Sequence, residues 1–258
     1  MKKVIALEAR LRKCRNVTTL GVRPNFSDYS PREADLIRNA QKIYYPSIFY
    51  AELFDTAGIA TFPSYNTYKC AQDKIKQTAL FNILEIPHPR THVFYGGRQQ
   101  KKICDRFSFP FIAKIARGSA MGRGVFFISD ASDLEAYLAQ TTTAYIQKYL
   151  KIDRDMRVVV IGGQIAHAYW RIAPNDDFRS NVAVGGHISL DPLPPQALEL
   201  ALSTALKCGW DDVGIDICES EGTYYVLEGN VKYGREGFRA AGIDYHLYME
   251  KLIENGTI

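Results

Sequence analysis

Two tight turn signals in the last hundred residues constrain the fold more than any other feature of the chain. Gly162-Gly163 lies between the runs Arg157–Ile161 and Gln164–Arg171, and Glu221-Gly222 lies between Asp212–Ile217 and Tyr224–Glu228. Strand-forming runs joined by two residues of this type read as antiparallel hairpins. A parallel crossover is excluded there, because it needs a dozen or more residues. Helical spacing at Gln196–Lys207 and from about Tyr245 to Ile253 supplies the covering layers. The second part of the chain is therefore α+β.

The first seventy residues have a different texture. Lys3–Ala9, Thr18–Val22 and Lys42–Tyr45 read as strands, Pro31–Ala40 as a helix with proline near its start, and Ile48–Thr56 as an amphipathic stretch. This predicts a small α/β unit over residues 1–70, without the G-x-G-x-x-G pattern of dinucleotide binding. From Asp73 to Leu84, apolar positions at Ile75, Leu80, Ile83 and Leu84 predict a helix entered at Asp73. Strands are predicted at Arg90–Tyr95, Phe111–Ile115, Val125–Ile128 and Ala144–Lys148, with a helix at Leu134–Ala139. The loop Gly118-Ser119-Ala120-Met121-Gly122-Arg123-Gly124 runs straight into a strand. That is the geometry of a hairpin lid, since a P-loop requires a helix after its glycines.

Composition narrows the class. At 258 residues, with 47% apolar and 23% charged side chains, the chain can bury a core, and dominant disorder is excluded. A net charge of +4 suits anionic small molecules and does not demand nucleic acid. No apolar window is long enough to span a bilayer, and Glu8 and Arg10 interrupt the brief N-terminal imitation of a signal peptide. The five cysteines form no C-x-x-C pair, which predicts free thiols and a cytoplasmic protein.

Candidate chemistry gathers near the C-terminus. Asp216 and Glu228 fall on strands joined by a short turn, and Glu228 and Asn230 share a face two residues apart. Three oxygen donors on one face suit a hard divalent cation that keeps water and phosphate as its other ligands. A solvated sheet face is the competing reading of these three residues taken alone. The glycine loop, with Ser119 and Arg123, offers close backbone approach to phosphate oxygens. Lys114 stands inside an apolar strand, where an ammonium has to find an anion or snorkel out to solvent. Arg157 and Arg171 flank hydrophobic strand cores, and Arg179 stands near Asn181. His167 and His187 lack partners at motif spacing and read as structural. No protein nucleophile is evident.

Taken in order, these blocks resemble the ATP-grasp superfamily, and most closely its RimK-like carboxylate–amine ligases. The resemblance runs from Asp73 to the C-terminus. It is carried by Asp73-Lys74, Phe109-Pro110-Phe111-Ile112-Ala113-Lys114, the glycine loop, Tyr145–Leu150, Asp155-Met156-Arg157-Val158, Phe178-Arg179-Ser180-Asn181-Val182, Gly185-Gly186, Gly214-Ile215-Asp216 and Leu227-Glu228-Gly229-Asn230. It implies an α+β ATP-grasp fold with two subdomains clasping ATP over residues 71–258. A central lid subdomain over about 90–150 would carry the glycine loop, and 151–258 the metal site.

The implied roles follow residue by residue. Lys74 and Lys114 would reach the ATP phosphates, with Gly118, Ser119, Gly122, Arg123 and Gly124 closing over them. Gln147, Lys148, Tyr149 and Leu150 would read the adenine, and Asp155 would sit near the ribose. Arg157, Arg179 and Asn181 would act at the reacting centre, Arg179 also approaching the phosphates. Asp216, Glu228 and Asn230 would hold Mg²⁺, with Mn²⁺ as a substitute. The implied reaction is carboxylate activation by ATP and capture by an amine. A small-molecule or peptide carboxylate and an amino acid or other amine are the expected partners, without nucleic acid or membrane; a homo-oligomer is compatible with this reading. The alternatives are an ATP-binding module without ligase turnover and a small-molecule kinase. The chain departs from the family pattern at Lys148, at Gly229, which is expected to loosen the strand holding two ligands, and at Val231-Lys232-Tyr233-Gly234-Arg235.

Overall fold

A computed structural model describes residues 3–70, 73–117, 124–174 and 186–258. Strands β1 (Val4–Ala6), β2 (Val17–Thr19), β3 (Lys42–Tyr44) and β4 (Ala60–Phe62) form a parallel sheet in the order β2-β1-β3-β4. Helices α1 (Pro31–Arg38), α2 (Ile48–Thr56) and α3 (Tyr65–Lys69) belong to the same unit. The entry to α1 is a capping box: Ser30 Oγ accepts from the Glu33 N–H, and Glu33 accepts back from Ser30 at 2.9 Å. Leu7, Ile37, Ile43, Tyr50 and Phe54 fill this unit's own core.

Helix α4 (Lys74–Ile83) leads into a second sheet made of β5 (Thr91–Tyr95), β6 (Phe111–Lys114), β7 (Val125–Ile128) and β8 (Thr143–Lys148), ordered β5-β8-β6-β7. Helices α5 (Gly96–Gln100), α6 (Ile103–Arg106) and α7 (Ala131–Leu138) accompany it. Every pairing is antiparallel, and Lys114 pairs with Val125 at the loop end of the β6–β7 hairpin. The glycines at 118 and 122, with Ser119 and Arg123, lie outside the described residues, as do Arg179 and Asn181. Helix α7 starts three residues before the predicted Leu134, because Asp130 accepts from the Ser132 and Asp133 N–H groups and caps it there.

The third sheet contains β9 (Arg154–Ile161), β10 (Gln164–Ile172), β11 (His187–Ser189), β12 (Asp212–Ser220) and β13 (Thr223–Asn230), ordered β11-β10-β9-β12-β13 and antiparallel throughout. Both predicted turns have two central residues at positive φ: Gly162 and Gly163 at 59° and 76°, Glu221 and Gly222 at 54° and 75°. This backbone twist matches that of the flanking strands. Met156, Val158, Ile215, Ile217 and Val226 face α8 (Pro195–Cys208) and Phe81 of α4. The opposite face begins polar, at Asp155 and Arg157, and becomes apolar at Val159 and Ile161, which pack against Ala6, Tyr44 and Phe62 of the first unit. Helices α9 (Glu236–Ala240) and α10 (Tyr245–Glu254) close that side.

A buried polar knot ties the first unit to this sheet. Tyr45 and Tyr233 donate to the two oxygens of the wholly buried Asp212 at 2.7 and 2.5 Å. The Arg10 guanidinium lies 4.4 Å from the Tyr233 ring centroid and donates to Tyr245 Oη at 2.9 Å. The elements not anticipated (β4, β11, α3, α5, α6 and α9) are three to five residues long. Segments that short show no readable period. No helix among the described residues is long and apolar enough to cross a membrane.

Candidate active site

The polar end of the third sheet forms the floor of the site. Side chains at alternate positions of a strand share a face, and register aligns Arg171 with Asp155, Arg157 with Asp216, and Asp216 with Glu228. Arg171 Nε and Nη2 donate to the two oxygens of Asp155 at 2.6 and 2.8 Å. Arg157 makes the same forked contact to Asp216, its Nη2 reaching Oδ2 at 2.9 Å. Arg171 Nη2 also lies 2.9 Å from Asp216 Oδ2, so the four groups form one row of alternating charge. Asn230 completes it, donating to Glu228 at 3.0 Å and to Asp216 at 3.3 Å.

Burial alone would raise the Asp216 pKa, but Arg157 and Arg171 outweigh it and hold the carboxyl below its ordinary range. Asp216 is thus a fixed carboxylate at neutral pH. Gly214 is required beside it: a Cβ there would lie 2.7 Å from Tyr233 Cβ and 3.0 Å from Arg157 Cδ.

The second sheet and α4 form the roof. Lys114 is buried at the end of β6, its Nζ 5.9 Å from the Tyr145 ring centroid. Burial lowers its pKa; the charge of Glu228 acts in the opposite sense, and Lys74 adds to the lowering. Lys114, Lys74 and Glu228 therefore converge from three separate elements. Tyr145 is fastened in turn to Thr78 of α4 by a 2.7 Å hydroxyl contact. The start of α4 is tied to the lid strand, since Asp73 pairs with Arg117 at 3.0 Å and the Lys74 N–H donates to the Ala116 carbonyl.

The structure thus brings together Lys74, Lys114, Asp155, Arg157, Asp216, Glu228 and Asn230. Asp155, given by resemblance to the ribose, is buried with both oxygens directed onto Arg171. Gln147 and Lys148 end β8, and Tyr149 and Leu150 follow it. Gln147 is buried and donates to Thr91 Oγ1 at 3.0 Å, Lys148 is exposed and its N–H donates to the Arg90 carbonyl, and Tyr149 meets the Phe127 ring edgewise at 5.0 Å. The carbonyl of Gly124 accepts from Ile115 at 2.7 Å and closes the lid hairpin.

Sequence reasoning missed Thr78, Gln77 and Trp210, which carry no local signal, and gave Tyr145 no role beyond its place in a family block. It also misjudged the strand at Gly229. A Cβ there would lie 2.5 Å from Trp210 Cζ3, so the indole fills the space that a side chain would take. Gln77 grips the same residue, accepting from its N–H at 2.9 Å and donating to its carbonyl at 2.8 Å. The strand is fastened there, not loosened.

The donor types fit a hard divalent cation: Asp216 and Glu228 are carboxylates gathered around the Asn230 amide, whose Nδ2 donates to both and whose oxygen is the third hard donor. Among the described residues no group of three or more His, Cys, Asp or Glu side chains is placed to hold a metal; the third donor here is an amide.

Residues 71–253 match the RimK-like ATP-grasp domain, and the chain belongs to that family. It is 29% identical over 192 residues to a probable alpha-L-glutamate ligase of Citrobacter koseri, covering 71% of this chain and 64% of that protein. It is 31% identical over 169 residues to beta-citrylglutamate synthase B of Danio rerio, covering 62% and 42%. The chain thus spans less than two thirds of the length of these relatives. Among solved structures, a RimK domain ATP-grasp protein of Sphaerobacter thermophilus superposes with a TM-score of 0.71 at 16% identity, covering 96% of this chain and 98% of that one. D-alanine–D-alanine ligase of Bacillus anthracis gives 0.70 at 13% identity, covering 98% and 96%. The fold is ATP-grasp.

Proposed function

We propose that the protein is an ATP- and divalent-cation-dependent carboxylate–amine ligase. The observation that carries this reading is that buried Lys114 feels the charges of both Glu228 and Lys74, beside the Asp155–Arg171–Asp216–Arg157 row. Cations facing fixed carboxylates suit a polyphosphate bridged to the protein by a metal ion.

In this reading Lys74 and Lys114 neutralise charge on the transferring phosphoryl group. Asp216, Glu228 and Asn230 would hold the divalent ion, which when bound would supply Lewis-acid stabilisation of the phosphate oxygens. The substrate carboxylate attacks the γ-phosphorus and displaces ADP. The amine then attacks the acyl carbon of the resulting acylphosphate, phosphate leaves, and the amine's proton passes to solvent. Arg157 is fixed at both ends of its fork and stands ready for the oxyanion of the tetrahedral intermediate. Asp155 positions Arg171. The segment Gln147–Leu150 would receive the adenine, and residues 1–70 with the loop 231–235 would border the substrates. The division into a unit over 1–70 and an ATP-grasp unit over 71–258 belongs to the same reading.

An amino acid is the expected amine, in keeping with relatives named for glutamate transfer. ADP release tested across amino acids, small carboxylates and acidic peptides checks the proposal. A signal that needs both an acid and an amine, with a product lighter than their sum by one water, supports it. Release with a single acceptor, giving a phosphorylated product, would replace it with a kinase.

A further inference from the structure

We infer that Gln77 is a positioning residue for the divalent cation: its amide holds the strand that presents Glu228 and Asn230, in place of a neighbouring strand. This rests on the ligase reading of the site.

Strand β13 is the outermost strand on its side of the third sheet. The outward N–H and C=O groups of such a strand have no partner strand and leave it free to shift. At Gly229 both groups are taken by one side chain: Gln77 Oε1 accepts from the N–H at 2.9 Å, and Gln77 Nε2 donates to the carbonyl at 2.8 Å. The second Nε2 hydrogen goes to the Cys70 carbonyl at 3.0 Å, so the amide cannot rotate without breaking three hydrogen bonds. Gln77 is 6% exposed, and water does not compete for these contacts.

The need for such a clamp is visible in the strand. Register breaks between Asp216 and Ile217, where Leu227 is left over on β13 as a bulge. Gly229 has no side chain to anchor the strand beyond that bulge, because Trp210 already occupies the place. Glu228 and Asn230, one residue to either side, are thereby located from behind by an amide that never touches them. The clamp also links two halves of the site. Gln77 lies one turn after Lys74 on α4, so the phosphate lysine and the metal strand move as one body.

The test measures affinity for a non-hydrolysable ATP analogue by calorimetry, with and without Mn²⁺, in the wild type, Glu228→Gln, Gln77→Ala and Gln77→Glu. Hydrogen exchange of β13 is followed alongside. Gln77→Glu keeps the shape but, as a carboxylate, cannot donate to the Gly229 carbonyl, and it serves if the alanine variant folds poorly. The expected result is a loss of about tenfold or more in the Mn²⁺-dependent gain in affinity. Metal-free affinity should stay within about twofold, with faster exchange at the Gly229 amide. A purely structural role would weaken both affinities together. An unchanged Mn²⁺-dependent gain in both Gln77 variants overturns the inference while leaving the ligase reading in place, provided Glu228→Gln abolishes that gain. If Glu228→Gln keeps the full gain, the metal assignment itself fails and the inference falls with it.

Discussion

Arg157 and Asp216 stand opposite each other on neighbouring strands, and the guanidinium fork of one engages both carboxylate oxygens of the other. Arg171 holds the same carboxylate from one strand further away. The anion expected to receive a cation is therefore charge-balanced before one arrives. Its geometry is set by guanidinium groups that cannot lose their protons.

Removing that charge should unfold much of the sheet's polar end. Asp216→Asn takes from buried Arg157 the carboxylate that its fork engages, and from Arg171 one of its two carboxylates. Breaking a buried pair in this way costs roughly 3–5 kcal/mol, about 2–4 °C in Tm for each kcal/mol in a chain of this size. Thermal unfolding checks the stability, and ADP release under Mg-ATP checks the accompanying loss of turnover. A variant with wild-type Tm would show that the row is not a structural unit.

Gly229→Ala should be destabilising by about 1–3 kcal/mol, because the added methyl meets the Trp210 ring. Pairing it with Trp210→Leu should recover part of the loss, and a double-mutant cycle by chemical denaturation measures the coupling. Simple additivity of the two losses would mean that the contact is relieved elsewhere.

Lys114→Met should separate stability from function. Burial disfavours the Lys114 ammonium, so the methionine variant should unfold at the same or a higher temperature when no nucleotide is present. Mg-ATP should raise the Tm of the wild type and leave the variant nearly unmoved. A nucleotide-induced shift equal to that of the wild type would remove Lys114 from the phosphate site.

Acidification should weaken the fold through His167. Burial lowers the ring's pKa from its ordinary 6.5, while a hydrogen bond with the Gly237 backbone opposes the shift, and Nε2 is buried without a partner. A histidine whose pKa falls on folding stabilises the native state above about 6.5, and that contribution is lost as pH drops toward the folded value. Tm should fall between pH 7.5 and 5.5, a window in which ordinary carboxylates stay ionised. His167→Phe, which keeps a ring against Phe238, should flatten that slope. His246 and His92 shift in the same direction and contribute to the slope that remains.

Much of the architecture was legible because its causes are local. Gly162-Gly163 and Glu221-Gly222 specify tight hairpin turns wherever they occur, and the strand–glycine–strand order around residues 118–124 marks a hairpin. The pairing of Asp216 with Glu228 also followed from turn length and the two-residue period of a strand. Gln77 was not legible, since one glutamine on a helix does not announce a partner 152 residues away. Gly229 was misread for the same reason: its necessity lies in Trp210, which reaches it only in the folded core.

The sequence by itself determined the hairpins, the helix entry at Asp73, the lysines and carboxylates available for chemistry, and the family to which they belong. Those properties depend on neighbours a few residues apart, where side-chain period and turn chemistry act. Only the tertiary structure decided that Asp155 serves Arg171, that Arg157 and Arg171 share Asp216, and that Gln77 closes the free edge of β13. Each of these is a choice of hydrogen-bond partner for a buried polar group. Burial makes that choice stringent, and only the packed sheets decide which groups lie within reach.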